Sequence, residues 1–342
     1  MSFWDGKNVM VTGGASFIGS HLVDDLIALG ANVSVVDDLS SGKLANLTPN
    51  PRLKFKKMDL ETASMTAIKK VFKGNEVLFH LAAVHGGRGY IDTHPADCSS
   101  NFAIDHRVFD AACASGVERV AFASSACAYP PRLQESFSSD YLLKESDSDI
   151  GKLKEPLSAD LEYGWAKLMG EVQLRSFVRQ YGMKGVNLRF VTAYGPRENE
   201  THAIVALIHK AHERMDPYEI WGTGEQSRDF TYVTDIVTGT ILAAEKVSDG
   251  GSINLGTGVR YRLKDVAEEI FGIMDWRPKG MKFDPSKPTG VVSRALDISR
   301  ASRLLGWEPK VGLKEGLQKT IGWYTSTHKR KGRINEKILL ER

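Results

Sequence analysis

The chain has 342 residues and a formal net charge of +3, and 42% of its residues are hydrophobic and 25% charged. This composition excludes disordered, collagen-like and coiled-coil proteins. The length predicts two domains, or one large α/β body with a smaller lobe. Residues 328–342 hold six lysines and arginines against two glutamates, which gives +4 there and −1 for the remainder. We therefore expect a flexible basic tail and no nucleic-acid partner.

The chain also lacks the sequence signs of export. No uncharged apolar run approaches the roughly 18 residues of a membrane-spanning helix, and the first residues do not resemble a signal peptide. The three cysteines, Cys98, Cys113 and Cys127, have no short paired spacings, which favours reduced thiols over disulfides or a zinc site. We expect a cytoplasmic protein with no membrane contact and no metal.

Strand-like and helix-like segments alternate along the first half of the chain. Short apolar runs predict strands at residues 8–12, 33–36, 53–58, 77–82 and 120–124. The segments between them predict helices at residues 17–29, 63–72 and 96–115. Apolar strands that alternate with helices predict an α/β fold, a Rossmann-type doubly wound parallel sheet.

The second half is more mixed. A long helix is predicted at residues 161–181 and a strand at 185–190, followed by shorter segments. The shorter segments are predicted helices at 203–213, 235–245, 263–274 and 313–324 and a strand at 218–221. We expect a Rossmann domain over residues 1–195, a smaller C-terminal substrate-binding lobe over 196–327 with segments that return to the sheet, and the tail 328–342.

The first strand–helix junction reads TGGASFIG, a pattern that suits a dinucleotide. Glycine allows a tight turn close to a pyrophosphate, and a helix N-terminus favours the negative charge. Asp37 ends the second strand roughly twenty residues later, where a carboxylate accepts ribose hydroxyls and repels a 2′-phosphate, so NAD is expected over NADP. The candidate cofactor contacts are Gly13, Ser16, Phe17, Ile18, Gly19, Asp37 and Ala82, with Asp59 and Leu60 beside the adenine unless they form a simple loop.

Tyr163 and Lys167 begin the long helix and share one of its faces, because they are four residues apart. A lysine ammonium beside a phenol is expected to lower the pKa of the phenol, which would make Tyr163 a base for a hydroxyl proton. Ser125 ends the fifth strand at the ligand-binding edge of the sheet, where its hydroxyl could hold the same substrate oxygen. The alternative is a core tyrosine with a surface lysine.

Together these motifs resemble the extended short-chain dehydrogenase/reductase family over roughly residues 7–325. The matching strings are TGGASFIG, the strand end at Asp37, Ser124-Ser125, YGWAK and the segment 189–196. Ser16 departs from the family, which usually has glycine there. Within the family, AAVHGGRGYI, ASSACAYP and YEIWGTGEQSRDFTYV most resemble GDP-mannose 3,5-epimerases.

The resemblance implies an NAD-dependent nucleotide-sugar epimerase. Oxidation at carbon 4 acidifies the hydrogens on carbons 3 and 5, and the resembling enzymes move those protons with a cysteine and a lysine. The cysteine position is Cys127 here, and the lysine position is His202, a departure that leaves the reaction open. The resemblance also places a substrate site at Gly86, Gly87 and Arg88, in a glycine-rich loop after the fourth strand where His85 and Arg88 depart from the 3,5-epimerase residues. Lys210, Gln226, Arg228 and Arg294 complete this site, with Arg228 and Arg294 on the pyrophosphate.

Two other functions stay open. In a UDP-sugar 4-epimerase, Cys127 would only pack and His202 would be an exposed residue at a helix start. A non-catalytic NAD-binding regulatory protein would need the cofactor loop but not Ser125, Tyr163 and Lys167. The resemblance further implies a homodimer formed through the predicted helices 96–115 and 161–181.

Overall fold

A seven-stranded parallel sheet lies at the centre of the protein. The structure is a computed structural model, and it describes residues 2–137, 140–149 and 156–329. The strands are β1 Asn8–Thr12, β2 Asn32–Asp37, β3 Leu53–Lys57, β4 Val77–His80, β5 Arg119–Ser125, β6 Lys184–Phe190, β7 Thr192–Tyr194, β8 Tyr218–Trp221, β9 Ser227–Arg228, β10 Phe230–Tyr232, β11 Asp249–Leu255, β12 Tyr261–Arg262, β13 Met281–Asp284 and β14 Ser293–Arg294. The predicted basic tail lies outside the described residues from position 330 onward.

The α-helices pack on both faces of this sheet. They are α1 Phe17–Ala28, α2 Met65–Phe72, α3 Arg88–Thr93, α4 Pro95–Ser99, α5 Asn101–Ala114, α6 Leu161–Tyr181, α7 Ala203–His212, α8 Val233–Lys246, α9 Leu263–Ile273, α10 Ser299–Leu305 and α11 Leu313–Thr327. Alternate residues of β1 enter different cores, since Val9 and Val11 join one buried cluster and Met10 joins the other. Burial on both faces explains why the central strands are continuous apolar runs.

The strand order β11-β6-β5-β4-β1-β2-β3 reverses direction at β1, with β4 on one side and β2 on the other. Ligands of open α/β sheets bind outside the carboxyl ends of the strands at such a point. The ends of β1, β4 and β5 therefore bring the glycine-rich loop, residues 81–87 and Ser125 to one edge. The Rossmann-type doubly wound α/β fold is confirmed.

Several elements differ from the sequence prediction. Residues 96–115 form two helices, α4 and α5, rather than one. Arg88, predicted to lie in the glycine-rich loop after the fourth strand, instead begins α3, which ends before Pro95 because the residue preceding a proline disfavours helical geometry. The strand β11, which begins Asp-Gly-Gly and was not predicted, pairs with β6 at the edge of the main sheet.

The chain beyond residue 195 also builds small sheets of its own. β9 pairs with β12 and β14, and β13 pairs with β8. These strands place Arg228 and Arg294 side by side, because they are register partners. No helix in the described ranges is both long enough and apolar enough to span a bilayer.

Candidate active site

A cavity of about 790 Å³ runs along the carboxyl edge of the sheet, between the glycine-rich loop and the strands that carry Arg228 and Arg294. This volume lies within the usual range for small-molecule sites, about 300–1,000 Å³. The lining includes every predicted catalytic residue, every predicted substrate-binding residue, and the loop residues Gly13, Ser16, Phe17, Ile18 and Gly19. Four predicted cofactor residues lie outside that lining, namely Asp37, Asp59, Leu60 and Ala82.

The glycine-rich loop leaves space that a side chain would fill. Gly13 has φ +72°, and a Cβ there would lie 2.8 Å from the backbone nitrogen of Ala82. A Cβ at Gly19 would lie 2.2 Å from the carbonyl oxygen of Gly13. No described side chain caps the N-terminus of α1, which therefore presents free backbone N–H groups to a ligand.

The Asp37 carboxylate holds the glycine-rich loop in place by hydrogen bonding to its backbone. Its Oδ2 accepts the N–H of Ala15 at 2.9 Å, and its Oδ1 accepts the N–H of Leu39 at 2.8 Å. Burial raises the pKa of Asp37, while these hydrogen bonds and one from the Ser16 hydroxyl oppose the rise. The space left by the glycines of this loop, which we call the glycine cradle, and the uncapped start of α1 suit the pyrophosphate of a dinucleotide. The buried Asp37 carboxylate suits its adenosine ribose.

Asp59 and Leu60 form a turn rather than part of the cavity wall. The Asp59 carboxylate accepts the N–H of Glu61 at 2.8 Å and the hydroxyl of Thr62 at 2.7 Å. The carbonyl oxygen of Leu60 accepts the Arg107 Nε at 3.0 Å. Their predicted place beside the adenine stays a prediction.

Ser125, Tyr163 and Cys127 come together because the first turn of α6 packs on the short 3₁₀ helix Ala126–Ala128. A Cβ at Gly164 would lie 2.3 Å from the carbonyl oxygen of Cys127, so only glycine allows this approach. The Ser125 hydroxyl hydrogen-bonds to Tyr163 and accepts the N–H of Cys127 at 3.1 Å. A hydroxyl, a phenol and a thiol therefore share one end of the cavity.

The pKa of Tyr163 is raised by its surroundings, whereas the sequence analysis expected a lowered pKa. Burial raises the pKa of Tyr163, as do Cys127, Asp105 and Cys98, and only the Ser125 hydrogen bond opposes the rise. The Lys167 Nζ lies 5.8 Å from the centroid of the Tyr163 ring and 4.8 Å from that of Phe122. Burial also lowers the pKa of Lys167, so desolvation outweighs the attraction between the two groups.

Cys127 contacts a cation. Its Sγ accepts a hydrogen bond from Arg294 Nη1 at 3.4 Å, and Arg294 Nη2 lies 3.0 Å from Asp160 Oδ2. Arg88 Nη1 lies 2.9 Å from both oxygens of Asp160. Burial opposes ionisation of Asp160, but Arg294 and Arg88 hold its pKa below the usual value.

Arg228 lies near these groups with no carboxylate within 4 Å among the described residues. Its guanidinium donates only to backbone carbonyls, those of Ser227 at 2.7 Å and Thr289 at 2.6 Å. Burial, together with Arg294 and Arg88, lowers its pKa to about 9. An anionic ligand would relieve this unfavourable burial. Arg294, which was predicted to bind the same pyrophosphate, is already engaged by Asp160 and Cys127.

Similarity to known proteins identifies the family of this chain. The model of the NAD dependent epimerase/dehydratase family matches residues 9–256. The chain belongs to this family. A UDP-glucose 4-epimerase of Mycolicibacterium smegmatis is 32% identical over 323 residues, which are 92% of this chain and 97% of that protein. The GDP-mannose 3,5-epimerase 1 of Oryza sativa subsp. japonica is 31% identical over 329 residues, 94% of this chain and 83% of that protein.

A solved structure agrees with this assignment. The crystal structure of a UDP-glucose 4-epimerase from Thermotoga maritima with UDP-glucose matches with a TM-score of 0.83 and 31% identity, covering 94% of this chain and 99% of that one. The family resemblance and the NAD cofactor expected from the motifs are confirmed. The residues placed to hold NAD are those of the glycine cradle, the start of α1 and Asp37.

In this epimerase/dehydratase-family protein, a further part of the cavity wall is formed by α7 and the segments beside it. His202 precedes α7, and its Nδ1 lies 3.0 Å from Glu198 Oε1. The ring of His85 lies 6.0 Å from that of His202, which places a second imidazole at the cavity. Lys210 Nζ donates to the carbonyl of Glu219 at 3.0 Å. Sequence reasoning missed Glu198, although it lies four residues before His202.

Gly86 and Gly87 lie in the loop after β4, which forms part of this cavity wall. A Cβ at Gly87 would lie 2.2 Å from the carbonyl oxygen of Thr201, so the loop after β4 packs directly on the segment that leads to His202. The Gln226 Nε2 donates to the carbonyl oxygen of Trp221 at 2.5 Å. Sequence reasoning also missed Asp160, whose signal was an acidic residue three positions before Tyr163.

Proposed function

We propose that this protein is an NAD-dependent epimerase of a nucleotide-linked hexose that inverts carbon 3, carbon 5 or both, in the manner of GDP-mannose 3,5-epimerases. The observation that supports this most is the Arg294 guanidinium on Cys127 Sγ, beside Tyr163 and Ser125. A thiol that only fills space has no need of a cation. For an acid/base thiol, this hydrogen bond would hold the sulfur in a fixed position beside the substrate.

The first step is oxidation at carbon 4. When bound, NAD would supply the hydride acceptor for this oxidation and the hydride donor for the final reduction, so that no net redox change would result. Tyr163 takes the hydroxyl proton, and Ser125 holds the same oxygen through its hydroxyl. Because burial raises the pKa of Tyr163, the phenolate depends on a nearby positive charge, and Lys167 supplies one from the same helix face.

The second step is proton exchange at the carbons next to the ketone. Inversion requires one group to remove a proton and another to deliver one to the opposite face. Cys127 and His202 take these roles, because both line the cavity and because thiol and imidazole side chains serve as general acids and bases in enzymes. The buried Glu198 carboxylate holds His202 through Nδ1, which leaves Nε2 for the substrate.

The nucleotide end of the substrate belongs at Arg228. Its guanidinium lacks a carboxylate partner among the described residues and lines the cavity, so a pyrophosphate would supply the missing negative charge. Lys210 and Gln226 line the same region. The base and the sugar are left to experiment.

A UDP-sugar 4-epimerase is the second candidate. It is favoured by the 32% identity to the M. smegmatis UDP-glucose 4-epimerase and by the match to the T. maritima structure. Such an enzyme needs Ser125, Tyr163 and Lys167 but no ring proton exchange. Cys127 and His202 would then only pack.

Solvent deuterium separates the two candidates. The full chain is incubated in D₂O with GDP-, UDP-, dTDP- and ADP-hexoses, and NMR records configuration and deuterium at each ring carbon. Deuterium at carbon 3 or carbon 5 is the expected result. Inversion at carbon 4 without any ring deuterium would establish the 4-epimerase instead.

Cys127→Ser tests the thiol itself. Serine keeps the size but is too weak an acid, so we expect ring exchange to fall by about 10²–10⁴-fold. Enzyme-bound NADH should then accumulate, because Tyr163 and Lys167 are untouched. His202→Ala should behave similarly, with loss at one carbon only as a further outcome. Cys113→Ser, on α5, is the matched control and should leave exchange unchanged. A drop of only a few-fold in Cys127→Ser would contradict the acid/base role.

A further inference from the structure

The ammonium of Lys167 lies in an apolar environment. Only 2% of the residue is exposed, and its Nζ lies 4.8 Å from the centroid of the Phe122 ring. No carboxylate lies within 4 Å of it among the described residues. Because a buried charge without compensation is costly, burial lowers the pKa of Lys167, and Asp105 is the group that opposes this.

Asp105 approaches Lys167 from α5. Its carboxylate is fully buried, and Oδ1 lies 3.0 Å from His80 Nε2. Its Oδ2 is buried and has no hydrogen-bond partner within the described part of the chain. A Cβ on Gly170 would lie 2.7 Å from this oxygen, and Gly170 follows Lys167 by one turn of α6. The unpartnered oxygen therefore faces the helix turn that carries Lys167.

His80 fixes the carboxylate without cancelling its charge. Its Nδ1 lies 2.7 Å from the Thr12 hydroxyl, so the hydroxyl donates to Nδ1 and Nε2–H donates to Asp105. Burial lowers the pKa of His80, which keeps the ring neutral. Thr12 is the last residue of β1, directly before Gly13. The string Thr12–His80–Asp105 thus leads from the cofactor loop to the buried face of α6.

We propose that Asp105 is a positioning residue for Lys167, which it holds as an ammonium directed at Tyr163, with His80 and Thr12 fixing its carboxylate. Two opposite charges attract strongly in a buried site even when they do not touch. The inference rests on the proposed roles of Tyr163 and Lys167. It is independent of Cys127, His202 and the identity of the sugar.

Other ionisable groups on the elements around α6 do not replace Asp105. They either are paired with one another or carry no charge that could hold an ammonium. Glu171 pairs with Arg189, and Asp160 pairs with Arg88 and Arg294, while Asp92 pairs with Arg88. Asp97 on α4 accepts a hydrogen bond from the Tyr90 hydroxyl at 2.7 Å, and further neighbours among the described residues include the thiols Cys98 and Cys127, the phenol Tyr163 and the neutral imidazole His80.

The test is Asp105→Asn in the full chain, which keeps the shape and an acceptor for His80 but removes the charge. The matched control is Asp110→Asn on the same helix, where the carboxylate pairs with Lys69 at the surface. Lysine is labelled with ¹³C at Cε, and Lys167→Met assigns the Lys167 signal. The midpoint of the Lys167 titration should fall by about one pH unit or more in Asp105→Asn and stay unchanged in the control.

Turnover gives the second readout. With the hexose found active in the deuterium panel, kcat should fall by about 10- to 100-fold while KM changes little, and the alkaline limb should move to lower pH. If Asp105→Asn fails to fold, Asp105→Ser carries the same test. An unshifted Lys167 titration and a kcat equal to that of Asp110→Asn would overturn the proposal. If no hexose is turned over but the titration shifts, the proposed function fails and the Asp105–Lys167 coupling stands.

Discussion

Both oxygens of the Asp37 carboxylate accept hydrogen bonds from backbone N–H groups, so this residue also has a structural role beside its proposed contact with a ribose. Asp37→Ala would leave the N–H groups of Ala15 and Leu39 without their acceptor and remove the negative charge. Charge-assisted hydrogen bonds are worth about 1.5–3 kcal/mol. We therefore expect the Kd for NAD, measured by calorimetry, to rise by about 10- to 100-fold.

The neighbouring residue supplies a control. Asp38 is exposed, and its carboxylate accepts only the N–H and hydroxyl of Ser40. Asp38→Ala should leave the Kd for NAD within a few-fold of the original. Tighter binding of NADP than of NAD by the unmodified protein would contradict the selection by Asp37.

The single residues that escaped sequence analysis are those whose partners lie far away in the chain. Asp160 meets Arg88, 72 residues earlier, and Arg294, 134 residues later. Asp105 meets His80 across 25 residues. Motif spacing reveals side chains on one helix face, such as Tyr163 and Lys167, but it carries no information about contacts made by folding. For the same reason the sequence could not show that the Lys167 ammonium is buried and lies against Phe122 as well as near Tyr163.

At the scale of elements, α6 depends on a glycine at its first turn. A Cβ at Gly164 would lie 2.3 Å from the carbonyl oxygen of Cys127, a backbone atom that cannot rotate away. Gly164→Ala should therefore push Tyr163 away from Ser125. We expect a loss of about 1–3 kcal/mol in the free energy of unfolding and a fall in turnover of about 10-fold or more. Denaturant melts and the epimerase assay measure both.

Gly322 offers the matched change in α11, because a Cβ there would meet nothing within 4 Å. Gly322→Ala should stabilise the protein by about 0.5–1 kcal/mol and leave turnover unaltered, since alanine favours helix over glycine. Equal effects of the two substitutions on turnover would show that the α6 approach does not position Tyr163.

Helices and strands with strong patterns were predictable, whereas two segments that follow or contain adjacent glycines, α3 and β11, were not. The residues of α1 and α6 have clear apolar faces or glycine stops, and both helices lie where predicted. In contrast, α3 follows Gly86 and Gly87 and β11 contains Gly250 and Gly251, so local composition favours loops at both places. Tertiary packing decides these segments, through the contact of Gly87 with Thr201 and the pairing of β11 with β6.

At the scale of the whole molecule, α5 and α6 lie side by side and present apolar side chains outward. Gln173 Nε2 donates to the carbonyl oxygen of Phe102 at 3.3 Å, which links the two helices. Phe102 is 37% exposed, and Trp165, Met169 and Val172 on α6 are only partly buried. The three residues on α6 recur at helical spacing, and together with Phe102 they form a candidate surface for a second copy of the chain.

We therefore expect a homodimer in which two copies of the α5–α6 pair form a four-helix bundle. Phe102→Glu would place a charge in the apolar centre of that interface, where it would lose its hydration without gaining a partner. Light scattering at micromolar concentration should give the mass of two chains for the unmodified protein and of one chain for Phe102→Glu. Leu304→Glu, which changes an equally exposed leucine (42%) on α10, should remain dimeric. A monomer in the unmodified protein, or dimers of both variants, would show that this surface does not mediate assembly.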